Sequence, residues 1–579
     1  MPRKTGLTVV LLRALLGLTF VGLCAGTGCG LRKDATPQPE SLPRLQSHPD
    51  PSGVQFVDCA GAAGLKYRYV ISGPRPLNAL QALTGGCAFL DYNNDGSLDV
   101  LVVGNPQPRL FRGDGRGHFR DVTAETGFLP KLSSPDGVWM GCAVGDIDGS
   151  GFDSVYLSGF HAGCLMRNLG GKRFVDVTAQ AGIHQEIWGT SCGFAELSRT
   201  GRLDLVVGNY VLFGSDTKRF EQNCVSPNGT VTSCGPTSYY AQHLSLYRNL
   251  GHGLFHDGQE PGIENTQGKT LGLTFADYEG SGFPGIFAAN DTSGNGLYHN
   301  DGRGHLSDVA RRAGVQNARQ GAYVSGMGTD WADFNEAGRL GLVVANYAEQ
   351  GKPLYRNEGH GLFTDQEEAA GLTSYSLPYL AFGVKWLDYD NDGWLDLAFA
   401  NGDVADTIHK AYPSRWYRYP TQVLRNLGSS SPEQSVRFAD VSGNMGPDLA
   451  RPIVGRGLAV GDYDNDGRED LLVVDAEGTP LLLHNQGGHV GHWLGIRLVG
   501  TRSNRDGYGA MLTARIGSRT LLRHCHADGS YLSSSDKRVH FGLGAARTVD
   551  SLSVRWPSGH VDTLRNVRAD RYVTVREGG

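Results

Sequence analysis

Positive charge is what this 579-residue chain lacks. Its 53 Lys and Arg face 59 Asp and Glu, a formal charge of −6, and only 19% of its residues are charged. The basic footprint of a nucleic-acid binder is therefore absent. Past the first 28 residues no stretch approaches 18 continuous apolar residues, so no later segment has the length of a spanning helix. No Gly-x-Ser-x-Gly elbow, phosphate loop or paired-carboxylate spacing stands outside the repeats described below. Glycine is plentiful, 83 residues, but without a G-X-Y period, which excludes collagen. With 25 Pro, 23 Tyr and 22 Phe, the composition points to many short strands joined by tight turns.

The N-terminus reads as an address. Arg3 and Lys4 precede an apolar run from Ala14 to Leu23, and small residues then lead to Cys29. This is a secretory signal over residues 1–28, ending like that of a bacterial lipoprotein with Cys29 as the lipidated residue. Gly26 stands where such signals prefer Leu or Val, and simple cleavage with free secretion is the alternative. Either outcome places the mature chain outside the cytoplasm. Residues 29–53, with Pro37, Pro39, Pro43, Pro49 and Pro51, read as a tether. Losing residues 1–28 removes Arg3, Lys4 and Arg13 and no acid, so the net charge falls from −6 to −9. In an exported chain disulfides become available. Cys224 and Cys234, ten apart in one irregular segment, are the expected pair. Cys87, Cys142 and Cys192 read as buried small hydrophobes.

Three elements recur in a fixed order. An aspartate-rich box followed by an apolar run begins at Asp91, Asp146, Glu196, Asp277, Asp333, Asp388 and Asp462. A strand ending in Arg-Asn or a variant follows each, and then a Phe-x-Asp-like strand with a glycine turn. The basic period is about 55 residues, the mark of a radial or solenoidal repeat fold. A Phe-x-Asp element at Phe56 precedes the first box, and the last Arg-Asn-like strand, near Asn485, lacks one after it. Each end supplies what the other misses. Residues 54–488 therefore read as a seven-bladed β-propeller closed by pairing Phe56–Asp58 with the last blade, an arrangement that leaves no open sheet edge. An open β-solenoid is the alternative.

Alternating oxygens on a tight turn converge on a hard cation. The complete boxes are Asp388, Asp390, Asp392 and Asp396, and Asp462, Asp464, Asp466 and Asp470; the first differs by one amide, with Asp91, Asn93, Asp95 and Asp99. The second keeps Asp146, Asp148 and Ser150. Ca²⁺ takes six to eight oxygens at about 2.3–2.6 Å, which suits such a loop better than octahedral Mg²⁺ does. These are not EF-hands, because position 12 is Val102, Phe399 or Val473 rather than Glu and a strand follows. Metal is expected at the first, sixth and seventh boxes, with the second as a weaker candidate.

These boxes, with their Gly-x-Ala-like lead-ins and Val/Leu strands, resemble FG-GAP or VCBS repeats. Past Gly488 they stop. Residues 489–579 read as a small β-sandwich of short strands, so the whole is expected to be all-β. The phrases Asn504-Arg-Asp-Gly507-Tyr-Gly509-Ala510, His540-Phe541-Gly542-Leu543-Gly544 and Val554-Arg-Trp556-Pro557-Ser558-Gly559 are similar to the UnbV-type domain that follows FG-GAP repeats in the cartilage acidic protein family and its bacterial relatives. The resemblance implies extracellular calcium binding and interaction with a protein or glycan, and no reaction.

His524 and His526 alternate onto one face of a predicted strand, but no third metal ligand is evident and they read as surface histidines. Insertions near 210–243 and 402–420 interrupt the period. In the second, Tyr412, Trp416, Tyr417 and Tyr419 interleave with Arg415 and Arg418. This is either a surface for a sugar or partner protein, or a loop packed on its own blade. The function read from the sequence is a non-catalytic, calcium-binding interaction module at the cell surface. A polysaccharide lyase or hydrolase working in a central funnel is the alternative.

Overall fold

Each repeat folds as four antiparallel strands. In the computed structural model, residues 47–579 are described apart from 133, 185–186, 215–222, 265–266, 319–320 and 432–433. Cys29 and the segment 1–46 lie outside the described residues. Sheets one to six span residues 86–121, 138–176, 189–257, 270–308, 326–365 and 381–440. Sheet seven is composite: Gly455–Gly461, Asp470–Asp475 and Leu481–Asn485 are completed by Phe56–Asp58, with Phe56 opposite Asn485 and Asp58 opposite Leu483. The first two strands of each sheet are buried along most of their length, so they read as largely apolar runs, as in Gly86–Leu90 and Asp99–Val103. The fourth strands bury a single Phe or Leu, as Phe119–Asp121 does, except Phe438–Asp440 of sheet six, which is buried throughout.

The inner strands of successive sheets pack on one another, and that of sheet seven returns to that of sheet one. The arrangement is a closed, propeller-like ring. Six buried asparagines fasten neighbouring sheets. Asn357 shows the pattern: its Nδ2 donates to Leu340 O (2.9 Å) in its own sheet and to Tyr278 O (2.8 Å) in the preceding one. Asn168, Asn249, Asn300, Asn426 and Asn485 repeat it. The corresponding residue in sheet one is Gly113, so the junction with sheet seven lacks this fastening.

Residues 489–579 build a three-stranded sheet of Val539–Gly544, His492–Val499 and Arg571–Arg576, and a four-stranded sheet of Arg519–His524, Met511–Ile516, Thr548–Arg555 and Val561–Arg568. Leu494, Ile496, Leu512, Leu521, Phe541, Val554 and Trp556 share one apolar cluster between them. His492–Val499 and Arg571–Arg576 pair in parallel.

The chain between Arg519–His524 and Val539–Gly544 enters the centre of the ring. Residues 528–536 hydrogen-bond to the inner strand of every sheet. Ser534 N–H donates to Cys87 O (3.0 Å), Cys142 N–H to Leu532 O (3.3 Å) and Leu532 N–H to Ser191 Oγ (2.9 Å). Thr274 Oγ1 donates to Asp528 Oδ1 (2.7 Å) and Ser530 N–H to Thr329 O (2.8 Å). Lys385 Nζ donates to Asp528 O (3.1 Å) and Asp536 N–H to Val460 O (3.0 Å). Room for this plug comes from small residues at matching positions: Gly86, Gly141, Ser191, Gly272, Gly328, Gly383 and Gly457. A Cβ on Gly86 would lie 2.2 Å from Leu532 O.

The far mouth of the channel is covered by insertions. Asn228 Nδ2 reaches Lys410 O (2.8 Å) and Thr407 Oγ1 reaches Val231 O (3.0 Å), joining the insertion of sheet three to that of sheet six. Leu77 N–H donates to Asp406 Oδ1 (3.0 Å) from the segment before sheet one. Buried Arg456 ties this cover down by donating to Ala82 O (2.7 Å) and Asp403 O (2.9 Å). Plug and cover meet in one apolar cluster holding Leu83, Trp188, Tyr210, Phe382, Tyr531 and Leu532.

Two expectations change. The tether ends earlier than residue 53: His48 N–H donates to Asp440 O (2.7 Å) and Tyr389 OH to Asp50 Oδ1 (3.1 Å), which straps residues 48–52 along sheets six and seven. His524 and His526 are half-buried rather than exposed on the surface. Their rings stack at 3.9 Å beneath the ring, and burial pushes the His526 imidazole down to about 3.

Candidate metal centres

Every box sits on the hairpin between the first and second strands, facing residues 489–579. The local fold follows from the acids themselves. The first Asp of boxes one, six and seven accepts the N–H of the Gly five residues on: Gly96 to Asp91 (2.9 Å), Gly393 to Asp388 (2.8 Å) and Gly467 to Asp462 (2.8 Å). The turn demands left-handed backbone at two places. Asn94, Asn391 and Asn465 take φ of 58°, 57° and 62°, a conformation asparagine tolerates, and Gly393 takes φ of 93°.

In box six the carboxylates converge. Ligand oxygens of Asp388, Asp390 and Asp396 lie within 4.8 Å of one another. Asp388 and Asp396 are each 1% exposed, and Asp388 Oδ1 and Asp396 Oδ2 have no hydrogen-bond partner. A buried polar atom without a partner is costly, and a cation held among these carboxylates would relieve that cost. Burial pushes both carboxyls well above the usual range, and Asp390 rises to about 6 from burial and its acidic neighbours. An all-oxygen donor set in a flexible loop fits Ca²⁺.

Box seven brings together Asp462, Asp464 and Asp466, and a second grouping of Asp464 and Asp470 with His484. Asp464 Oδ1 is buried without a partner, and burial pushes Asp470 up to about 8. Box one holds its acids apart. Asn93 Nδ2 donates to Asp95 Oδ2 (2.8 Å), while Asp99 accepts from Tyr92 N–H (2.9 Å) and Gly113 N–H (2.9 Å). In box two Asp146 accepts the N–H of Ser150 (3.0 Å), and Asp148 pairs with Arg167 at 2.6 Å. Neither box supplies a convergent group of three acids or histidines among the described residues.

A basic side chain stands over these boxes, carried by the strand that ends in Arg-Asn. Arg112 reaches Asp95 (2.9 Å), Arg167 reaches Asp148, and Arg425 reaches Asp390 (2.9 Å) and Asp392 (3.1 Å). In sheet seven His484 takes this place, 3.1 Å from Asp470. The Arg-Asn signature thus divides its labour: the first residue balances the box and the second fastens the next sheet.

Sequence reasoning missed how residues 489–579 seat on the boxes. Asn504 donates to Glu196 Oε2 through N–H (2.8 Å) and Nδ2 (2.9 Å), Arg555 to Asp277 Oδ2 (3.0 Å), and Tyr572 OH to Asp462 Oδ2 (2.6 Å). Asp506 accepts from Asp146 N–H (2.7 Å), and Arg523 donates to Gly393 O (2.9 Å). Asn504, Asp506 and Gly507 belong to the first of the three quoted phrases, so the signal was present without its target.

Cys224 and Cys234 are bridged, with Cα atoms 4.8 Å apart. Cys87, Cys142 and Cys192 are buried free thiols, and burial raises Cys87 and Cys192 to about 12. The aromatic insertion packs on itself and on sheet seven, where Arg418 pairs with Asp475 at 3.3 Å and Tyr417 OH donates to Glu477 Oε1 (3.1 Å). Tyr419 is buried, Arg415 pairs with Asp403, and Trp416 stacks on His409 at 4.4 Å.

Residues 91–157 match the FG-GAP-like repeat model, and residues 500–579 match the ASPIC and UnbV model. The chain is thus similar to FG-GAP repeats in its ring and to the ASPIC/UnbV domain at its C-terminal end, and it resembles the cartilage acidic proteins. Cartilage acidic protein 1 of Mus musculus is 25% identical over 522 residues, covering 86% of this chain and 73% of its own. The Homo sapiens protein is 25% identical over 521 residues, covering 86% and 72%. Among solved structures, a lectin from Agrocybe aegerita that recognises non-reducing terminal N-acetylglucosamine aligns at 14% identity with a TM-score of 0.40, over 70% of this chain and 94% of its own.

Proposed function

We propose that the chain is a non-catalytic, calcium-binding interaction module of the bacterial cell envelope, exported and either anchored through lipid on Cys29 or secreted. Its ring is a seven-bladed β-propeller closed by Phe56–Asp58, and residues 489–579 form a β-sandwich that caps the box face. The observation that carries the calcium reading is the pair of orphaned, buried oxygens on Asp388 and Asp396. Box seven is the second centre. Boxes one and two bring no three acids together among the described residues, which supports weaker binding there. The filled channel supports binding over catalysis, because residues 528–536 occupy the funnel in which a lyase or hydrolase of this architecture would work. The partner is an extracellular protein or glycan met on the outer surface.

Calorimetric titration of chelator-stripped protein with Ca²⁺, read together with the melting temperature, tests this. Uptake of at least two ions with a rise in melting temperature is expected. No uptake and an unchanged melt would sink the calcium reading.

A further inference from the structure

Box six has something in front of it. A groove of about 530 Å³ opens beside Asp390 and Asp392, walled by Pro51 and Ser52, by His489, and by Gly544. Its walls are pinned to the box and to each other. Gly491 N–H donates to Asp390 O (2.8 Å), and His489 N–H donates to Ser52 O (2.6 Å). Three separate parts of the chain thus meet over one set of carboxylates.

Arg425 lines this groove. It holds Asp390 and Asp392 with one guanidinium nitrogen, and its Nε has no hydrogen-bond partner. Asp390, which lines the groove, has a ligand oxygen within 4.8 Å of those of Asp388 and Asp396, and each of these two carries an unpartnered oxygen. Ca²⁺ needs six to eight oxygens, and the box offers four carboxylates and loop carbonyls, so water or a ligand must complete the shell. The groove is the open side from which such an oxygen arrives. A dication among these carboxylates also takes over the charge that Arg425 now balances, which frees guanidinium N–H groups toward the groove. A planar guanidinium next to a dication matches the two oxygens of a carboxylate.

We infer that calcium-loaded box six is a receptor site for a carboxylate-bearing ligand, one oxygen completing the cation's shell and the other held by Arg425. The inference rests on the calcium reading above. No covalent bond changes; the ligand displaces water.

The test is calorimetry on the full mature chain. Ca²⁺ is titrated first. A galacturonate oligomer, an oligo-aspartate peptide and a neutral galactose oligomer are then titrated separately, with Ca²⁺ and with EDTA. At least one carboxylate probe is expected to bind only with Ca²⁺, and the neutral oligomer is expected not to bind; which acidic probe binds names the source. Arg425→Gln, compared with wild type after both are saturated with Ca²⁺, should weaken that probe's binding about tenfold or more, roughly 1.4 kcal/mol. Normal Ca²⁺ uptake with no binding of either acidic probe overturns the inference alone, as does binding that ignores EDTA or charge. Absence of Ca²⁺ uptake overturns both readings.

Discussion

Lys352 carries an ammonium group into the protein interior, where it is held by the carbonyls of Tyr379 (2.9 Å), Ser376 (3.3 Å) and Tyr347 (3.5 Å). Burial pushes it down to about 7. Between pH 7 and about 10.4 the unfolded chain therefore holds a proton that the folded chain lacks, and stability from this group rises with pH across that window. Below pH 7 the contribution is flat. Lys352→Met should abolish this rise, so the difference in melting temperature between wild type and variant should change steadily from pH 7 to 10 and not from pH 5 to 7. At box six the sign inverts with metal. Asp396→Asn removes a buried charge surrounded by like charges, so in EDTA the variant should be at least as stable as wild type. In Ca²⁺ at ~100-fold excess over Kd, wild type gains about 2.7 kcal/mol, and the variant should lose most of that gain. Thermal melts of both proteins with and without Ca²⁺ decide it.

At the scale of elements, the asparagine fastenings carry more than a single hydrogen bond each. Asn357→Ala strands Tyr278 O and Leu340 O in the interior and releases Gly359 N–H. The expected loss is about 2–3 kcal/mol, measured by denaturant unfolding; Asn357→Asp should be no better, since it cannot donate. The bridge between Cys224 and Cys234 closes a ten-residue hairpin that reaches the insertion of sheet six. Its removal by Cys224→Ser with Cys234→Ser should cost roughly 3 kcal/mol if the ring unfolds as one unit, and proteolysis should then cut first near Pro227. Most elements were legible because repetition supplied the same strand seven times over. Phe56–Asp58 could be placed by counting alone, since one element was missing at one end and spare at the other. Val561–Arg568 was not legible: its apolar residues Val561, Leu564 and Val567 fall three apart, and it is an edge strand with an exposed face. His524 and His526 misled because alternation reports a shared face and says nothing of which body covers it. The boxes could be read as loops, but convergence could not. In box one, Asn93 spends its amide on Asp95, a contact between side chains that no spacing encodes.

The whole molecule depends on what fills its middle. Gly141→Ala would set a methyl group 2.8 Å from Leu532 Cα, and overpacking of this kind costs about 1–3 kcal/mol. Because the nearest atoms, Leu532 Cα and O, are backbone, trimming the Leu532 side chain should not relieve the clash, and the loss should persist in a Leu532→Ala background. An unchanged melting temperature for Gly141→Ala would mean that plug and ring do not press on each other. Closure makes a separate claim. Deleting residues 54–66 strips sheet seven of its outer strand and uncovers Leu481 and Leu483, so the melt should shift down and broaden.

A hollow lined by glycine has a consequence in time. Synthesis proceeds from the N-terminus, so all seven sheets are made before residues 528–536 exist. Until the last fifty residues arrive, the ring has an empty axis, a half-covered box face and no partner for Gly86, Gly141 or Gly457. The final tenth of the chain is thus its keystone. A ribosome that stops short of it releases a ring with nothing in its bore, and quality control need only sense that open bore to tell the unfinished copy from the finished one.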